Sequence, residues 1–203
     1  NRNLCAALTA VSPAIAFAIL CSFTGDVFND QIISFHSEWI PALGLSLSFH
    51  LDGLAYLFSL LILGIGLLII LYARYYLSDK DNMGKFYCFL MMFMVAMLGV
   101  VTSNNLIQLW LFWELTSISS FLLISFWSHK TEARKGARMA LTVTGAGGLA
   151  LLGALLLIAH ITGTYELTEV FKKADLIQSS DLYIPTLILF LLGAFTKSAQ
   201  FPF

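Results

Sequence analysis

Long apolar runs separated by short polar breaks set the pattern of this chain. A helix needs about 20 apolar residues to cross a bilayer. Six runs approach that length and predict helices at approximately Leu4–Phe23, Leu51–Tyr75, Phe86–Val101, Asn105–Phe126, Met139–Ile161 and Ile184–Phe203. The second is long and the third short, so their tilts should differ. Two of the polar stretches carry patterns of their own. Leu45-Ser46-Leu47-Ser48-Phe49-His50-Leu51 alternates apolar and polar positions, the period of a half-buried strand. Ile32-Ile33-Ser34-Phe35 lies upstream with Pro41 and Gly44 between, which predicts a small external β-hairpin. Leu167, Val170, Phe171 and Ala174 follow helical spacing and predict a short amphipathic helix along the interface.

Composition favours a membrane protein over a soluble all-helical core. The chain is 59% hydrophobic and 11% charged, with mean hydropathy +0.84. Soluble domains carry about 25% charged residues. The expected fold is therefore an all-α membrane protein, a polytopic helical bundle forming a single transmembrane domain over residues 1–203. The chain has no starting Met and stops inside an apolar run, so it reads as an internal piece of a longer polypeptide. The first span resembles a signal peptide in position only. Its Pro13, its full length and the lack of an Ala-x-Ala cleavage pattern favour a retained helix.

The distribution of charge predicts an orientation. With residue 1 facing the cytoplasm, that side holds Arg2, then Arg74, Lys80 and Lys85, then Lys130, Arg134, Lys135 and Arg138. The opposite side holds Lys172 and Lys173 as its only Lys or Arg, with Asp26, Asp30, Glu38, Asp52, Glu166, Glu169, Asp175 and Asp181. Lys and Arg concentrate on the untranslocated side, which favours this orientation. Asp52 and the other outer acids read as a solvated face.

Two charges fall inside the apolar runs. Glu114 sits in Phe-Trp-Glu-Leu-Thr-Ser, and Lys197 in Leu-Gly-Ala-Phe-Thr-Lys-Ser-Ala-Gln-Phe-Pro-Phe. A charge at the bilayer centre costs about 2.5–3.5 kcal/mol on insertion scales. Along their spans Glu114 lies roughly 14 Å deep and Lys197 roughly 20 Å deep. A pair between them, direct or through water, is geometrically allowed. Burial and an opposite charge act on such groups in opposing senses, so making and breaking the pair would take up and release protons. A static ion pair that only fixes helix packing is the alternative.

Pro202 follows Lys197 within the same run and removes a backbone donor. It predicts a break in the sixth helix near that position. Broken helices beside a charge are a frequent transporter device, and an ordinary proline kink fits the local sequence as well. Ser117, Thr196 and Ser198 are candidates to anchor waters of a proton path. Hydroxyls in such helices also bond back to their own backbone. Thr144-Gly145-Ala146-Gly147-Gly148 and Gly153 predict close helix packing or a flexible helix.

Other chemistry finds little support. His36, His50 and His129 fall in loops or at span edges, and His160 near the end of its span, which does not suit haem ligation. Cys5, Cys21 and Cys88 lack metal-ligand spacing. There is no phosphate loop or nucleotide fingerprint. No cofactor and no nucleic-acid partner is expected.

The two charged motifs together resemble the large antiporter-like membrane subunits shared by respiratory complex I, membrane-bound hydrogenases and Mrp-type Na⁺/H⁺ antiporters. The resemblance runs from about Asp52 to Phe203, and the large A-type subunit of Mrp antiporters is the best match within it. Complex I relatives more often carry Gly-Trp-Glu-Gly where this chain has Phe-Trp-Glu-Leu-Thr-Ser. The resemblance implies that Glu114 is the family's motif glutamate and Lys197 the lysine of its broken helix. It implies a bacterial cell-membrane subunit that works with other membrane subunits, exchanging Na⁺ for H⁺. It also implies that the spans correspond to the second to seventh helices of a longer subunit. A proton-pumping arm of complex I or of a membrane-bound hydrogenase is the second reading, and a structural scaffold subunit the third.

Overall fold

The computed structural model describes residues 1–40 and 45–201. In chain order the elements are α1 (Arg2–Ser22), α2 (Thr24–Phe28), β1 (Ile33–Ile40), β2 (Leu45–Leu51), α3 (Gly53–Tyr76), α4 (Met83–Thr102), α5 (Leu106–Ile124), α6 (Thr131–Thr162), α7 (Leu167–Lys172), α8 (Ala174–Gln178) and α9 (Tyr183–Lys197). Among the described residues, α1, α3, α4, α5 and α6 are long and apolar enough to span a membrane. The chain is a multi-pass helical membrane protein.

Polar caps set where the spans begin. Asp52 Oδ1 accepts from the Ala55 N–H at 2.8 Å and opens α3. Asn82 accepts from Lys85 N–H and opens α4, while Asn105 accepts from Ile107 and Gln108 N–H and opens α5. Such caps satisfy donors that the first turn leaves free. Gly163, at φ 69°, ends α6 in the left-handed conformation glycine tolerates best.

Two boundaries differ from the sequence expectation. α6 starts at Thr131 rather than Met139. Its first turns are charged, but Glu132, Ala133, Arg134, Lys135, Ala137 and Arg138 are good helix formers and outweigh Gly136, so the segment stays helical beyond the apolar run. At 32 residues the helix is about 48 Å long, against a hydrocarbon core of about 30 Å. α9 ends at Lys197 rather than continuing to Phe203. Its 15 residues reach about 22 Å, short of a full crossing. Pro202, the expected site of the break, lies outside the described residues; the helix has already stopped before it.

The hairpin forms as expected. β1 and β2 pair antiparallel from Ile33↔Leu51 to Ile40↔Leu45, with an irregularity between Glu38 and Ile40. Pro41 and Gly44, between the two strands in sequence, lie outside the described residues. The expected amphipathic helix is instead two short helices, α7 and α8, separated at Lys173. Val170 is buried, but Phe171 points outward. Lys173 Nζ donates to the Thr162 carbonyl, which ties the junction to the end of α6.

α1, α3 and α4 share a core around Leu63, Ile70, Tyr87, Leu90 and Met94. α5, α6 and α7 share a second around Leu106, Leu151, Leu155 and Val170. α9 packs along α6. The outer surface remains apolar, with Leu8, Ile15, Leu61, Ile65 and Leu68 all exposed, as a lipid-facing surface should be.

Candidate functional site

The site lies where α5, α6 and α9 meet. Lys197 is the last residue of α9, with Ser198 as its cap. A positive charge at a helix C-terminus is favoured by the carbonyl dipoles there. The chain turns away at Ala199, whose φ is 50°. Gln200 N–H then donates back to the Phe195 carbonyl at 3.0 Å, and Ser198 N–H to the Ala194 carbonyl. This is the Schellman pattern of helix termination, with alanine at the left-handed position usually given to glycine.

The Lys197 ammonium reaches across to α5. Its Nζ donates to Thr116 Oγ1 at 2.6 Å and to Ser117 Oγ at 2.9 Å. It also lies 5.6 Å from the centre of the Trp113 ring. Trp113, Thr116 and Ser117 are spaced i, i+3, i+4, so they form one face of α5. Thr116 and Ser117 are buried, roughly 15 Å along α5 from Leu106. Thr116 Oγ1 donates in turn to the Trp113 carbonyl at 2.7 Å.

Glu114 occupies the neighbouring face and looks towards α6. Its Oε1 is buried and has no hydrogen-bond partner among the described residues. The carboxylate lies against Gly148, where a Cβ would overlap Oε1. One turn earlier, Trp110 Nε1 donates to the Gly148 carbonyl at 2.9 Å. Gly147 provides a similar seat for Thr196 of α9, and Gly193 packs on Leu151 and the Gly147 carbonyl. The small-residue run of α6 thus lets two helices approach it closely. Gly145 faces open space.

Glu114 and Lys197 therefore converge on one junction without touching as an ion pair. Among the described residues, ion pairs within 4.0 Å join Arg2 to Asp79 and Lys172 to Glu169. The three hydroxyls expected from sequence divide. Ser117 meets Lys197 directly. Thr196 Oγ1 bonds back to the Gly193 carbonyl and Ser198 Oγ to the Ala194 carbonyl. Thr116 is not among the three, because it does not share a face with Glu114. The spacing Trp113-Thr116-Ser117 is the signal that points to it.

At the hairpin end a polar cluster replaces part of the expected solvated acidic face. Glu166 accepts from Asn104 Nδ2 at 3.0 Å, from Asn105 Nδ2 at 3.1 Å and from Ser46 Oγ. The Gln108 side-chain amide pairs with the backbone of Ser48, accepting from its N–H at 2.8 Å and donating to its carbonyl at 3.1 Å. These bonds lock β2 onto the start of α5. Asp52 serves as a helix cap.

Residues 103–203 match the family model described as NADH:quinone oxidoreductase/Mrp antiporter, TM. Residues 39–87 match that of NADH-Ubiquinone oxidoreductase (complex I), chain 5 N-terminus. The chain belongs to the family of membrane subunits shared by NADH:quinone oxidoreductases and Mrp antiporters. Among curated members, it is 46% identical to the A-type subunit of the Na(+)/H(+) antiporter of Alkalihalophilus pseudofirmus, over 95% of this chain and 24% of that one. It is 49% identical to the A/B-type subunit of a probable K(+)/H(+) antiporter of Rhizobium meliloti, over 93% of this chain and 19% of that one. The chain thus spans about a fifth to a quarter of the length of these Mrp-type relatives. The structure aligns over its whole length with 24% of a chain of the Mrp complex from Dietzia sp. DQ12-45-1b, at TM-score 0.81 and 31% identity. A membrane-bound sulfane sulfur reductase, an archaeal respiratory membrane complex, shares the fold at TM-score 0.77 and 21% identity, over 95% of this chain and 30% of that one.

Proposed function

We propose that this chain forms part of a proton-translocating subunit of a multi-subunit monovalent-cation/proton antiporter, acting as a secondary transporter and not an enzyme. The observation that carries the reading is the Lys197 ammonium, placed on a helix that stops within the bundle and held by two hydroxyls of the helix bearing Glu114. Proton transfer accompanies movement of Lys197 between Thr116 and Ser117 and the Glu114 carboxylate. Such a charge is costly to hold at membrane depth, which makes a functional role the default reading. Other membrane subunits complete the path. Sodium leaves as protons enter, and residue 1 faces the cytoplasm of a bacterial cell.

Everted vesicles from cells expressing the whole operon test this. They should show Na⁺-dependent dissipation of ΔpH without NADH, and Glu114→Ala or Lys197→Ala should abolish it in assembled complexes. Normal exchange in those variants would sink the proton role and leave a scaffold. Potassium is the second cation to assay, because the Rhizobium relative is named for it. The fold shared with a respiratory complex supports the alternative of a redox-driven arm. Pumping that requires NADH and a quinone would favour that alternative.

A further inference from the structure

The end of the bundle opposite the hairpin carries a crevice that the transport reading does not use. It measures about 380 Å³ and lies between the end of α3, the start of α4 and the end of α5. Tyr72, Tyr76, Phe86, Leu123, Phe126 and Trp127 wall it. The aromatic rings brace one another. Tyr72 stacks on Tyr76 at 5.2 Å, Phe86 meets Phe126 edge-on at 5.4 Å, and Phe126 meets Trp127 at 5.8 Å. Along α3 the crevice extends from Leu77 inward to Ile69, about 12 Å. Tyr72 and Tyr76 are nevertheless 62% and 58% exposed. Aromatic side chains at span ends suit the headgroup level of a bilayer.

Three lysines lie on the segments that border the crevice. Lys130 Nζ sits 4.8 Å over the Trp127 ring. Lys85 precedes the wall residue Phe86, with its Nζ 5.6 Å from the Phe89 ring. Lys80 belongs to the turn that Trp127 Nε1 fastens through Asp81 Oδ1 at 2.9 Å. All three lysines are exposed.

The acids of that turn have partners other than the lysines. Asp79 pairs with Arg2. Asp81 accepts from the Ser78 N–H, the Ser78 hydroxyl and the Trp127 indole. Among the described residues, no carboxylate lies within 4.0 Å of the three ammonium groups. On the exposed start of α6, Arg134, Lys135 and Arg138 add charge of the same sign and Glu132 opposes it.

We propose that this crevice binds an anionic membrane phospholipid, with an acyl chain along the aromatic wall and the headgroup at Lys80, Lys85 and Lys130. Charge complementarity selects the headgroup. The three lysines, with Arg134, Lys135 and Arg138, outnumber the nearby acids Asp81 and Glu132, so they attract a net negative headgroup, while a zwitterionic one offers no net charge. The apolar wall selects a lipid over a free phosphate.

The test uses the whole antiporter complex, containing the full-length form of this subunit. It is reconstituted in phosphatidylcholine vesicles doped with photoreactive phosphatidylglycerol carrying a diazirine in its acyl chain. A photoreactive phosphatidylcholine serves in parallel. The phosphatidylglycerol probe should label Ile69–Leu77 and Leu123–Trp127 in preference to the phosphatidylcholine probe. Lys85→Gln and Lys130→Gln should each lower that labelling about fivefold. Labelling around Leu57 and Leu61, exposed further along α3, should not change. Equal labelling by both probes, no labelling of the crevice, or labelling indifferent to the lysines would each overturn the proposal.

Discussion

Lys197 Nζ donates across 2.6 Å to Thr116 Oγ1, so the intramembrane ammonium is held first by a hydroxyl. Ser117 supplies the second acceptor on the same face of α5. Hydrogen bonds to a charged group contribute about 1.5–3 kcal/mol each. A double variant, Thr116→Val with Ser117→Ala, should leave helix lengths unchanged but remove both acceptors. Cation-dependent proton exchange in vesicles should fall more than tenfold, while assembly on native gels stays intact. Unchanged exchange would remove these hydroxyls from the mechanism.

Gly148 gives Glu114 its seat on α6. Gly148→Ala should force the carboxylate or the helix to shift, at about 1–3 kcal/mol for overpacking. Gly147→Ala should do the same through Thr196. Gly145→Ala meets open space and should be neutral or slightly stabilising, since alanine favours helix over glycine by about 1 kcal/mol. Thermal melts of the three variants in detergent would rank them. A Gly145→Ala variant as damaged as Gly148→Ala would refute the packing account.

Ala199 adopts φ 50° beside Lys197. That conformation is strained for an L-residue and free for glycine. After the entropy cost of glycine in the unfolded chain, Ala199→Gly should still stabilise by roughly 0.5–1 kcal/mol. Transport should persist, because the terminating bond from Gln200 to Phe195 is between backbone groups. Melting temperature and vesicle exchange, measured side by side, check both halves of this expectation.

Glu166 joins the hairpin to the bundle through Ser46, Asn104 and Asn105. Glu166→Ala leaves those donors without their acceptor. The expected loss is about 1–3 kcal/mol. It should appear as a lower melting temperature and faster proteolysis within Ile33–Leu51.

Asp81 fixes the turn after α3. Hydrogen bonds from the Ser78 hydroxyl, the Ser78 N–H and the Trp127 indole hold its carboxyl below the usual aspartate range. A carboxyl depressed in the folded state contributes stability that is present above its unfolded pKa of about 3.9. That contribution is lost as pH falls from there through the folded value. Trp127 fluorescence should report loosening of the turn in that acid window. In Asp81→Asn the same pH step should be absent.

The five long apolar helices, the hairpin and the two charges within apolar runs were legible in the chain because each rests on local signals. Apolar run length, period-two alternation at Leu45–Leu51 and the cost of Glu114 and Lys197 need no knowledge of neighbours. Boundaries failed where local signals conflict. The charged start of α6 is hydrophilic yet helix-forming, and hydropathy reads only the first property. α9 stops at Lys197 because its last carbonyls are taken by Ser198 and Gln200, and apolarity continues past that point. The α7–α8 break falls at Lys173, which is tied to Thr162.

Sequence alone determined that this chain crosses a membrane several times and places one carboxylate and one ammonium within apolar runs. Only the tertiary structure decided which groups they meet. The Lys197 partners lie 81 and 80 residues away, and the choice depends on how α5 is rotated against α9. Thr116, Ser117, Thr196 and Ser198 look alike locally, since any of them can bond back to its own helix. The packing of α5 and α9 on the glycines of α6 aims two of those hydroxyls at the lysine and turns Glu114 towards Gly148.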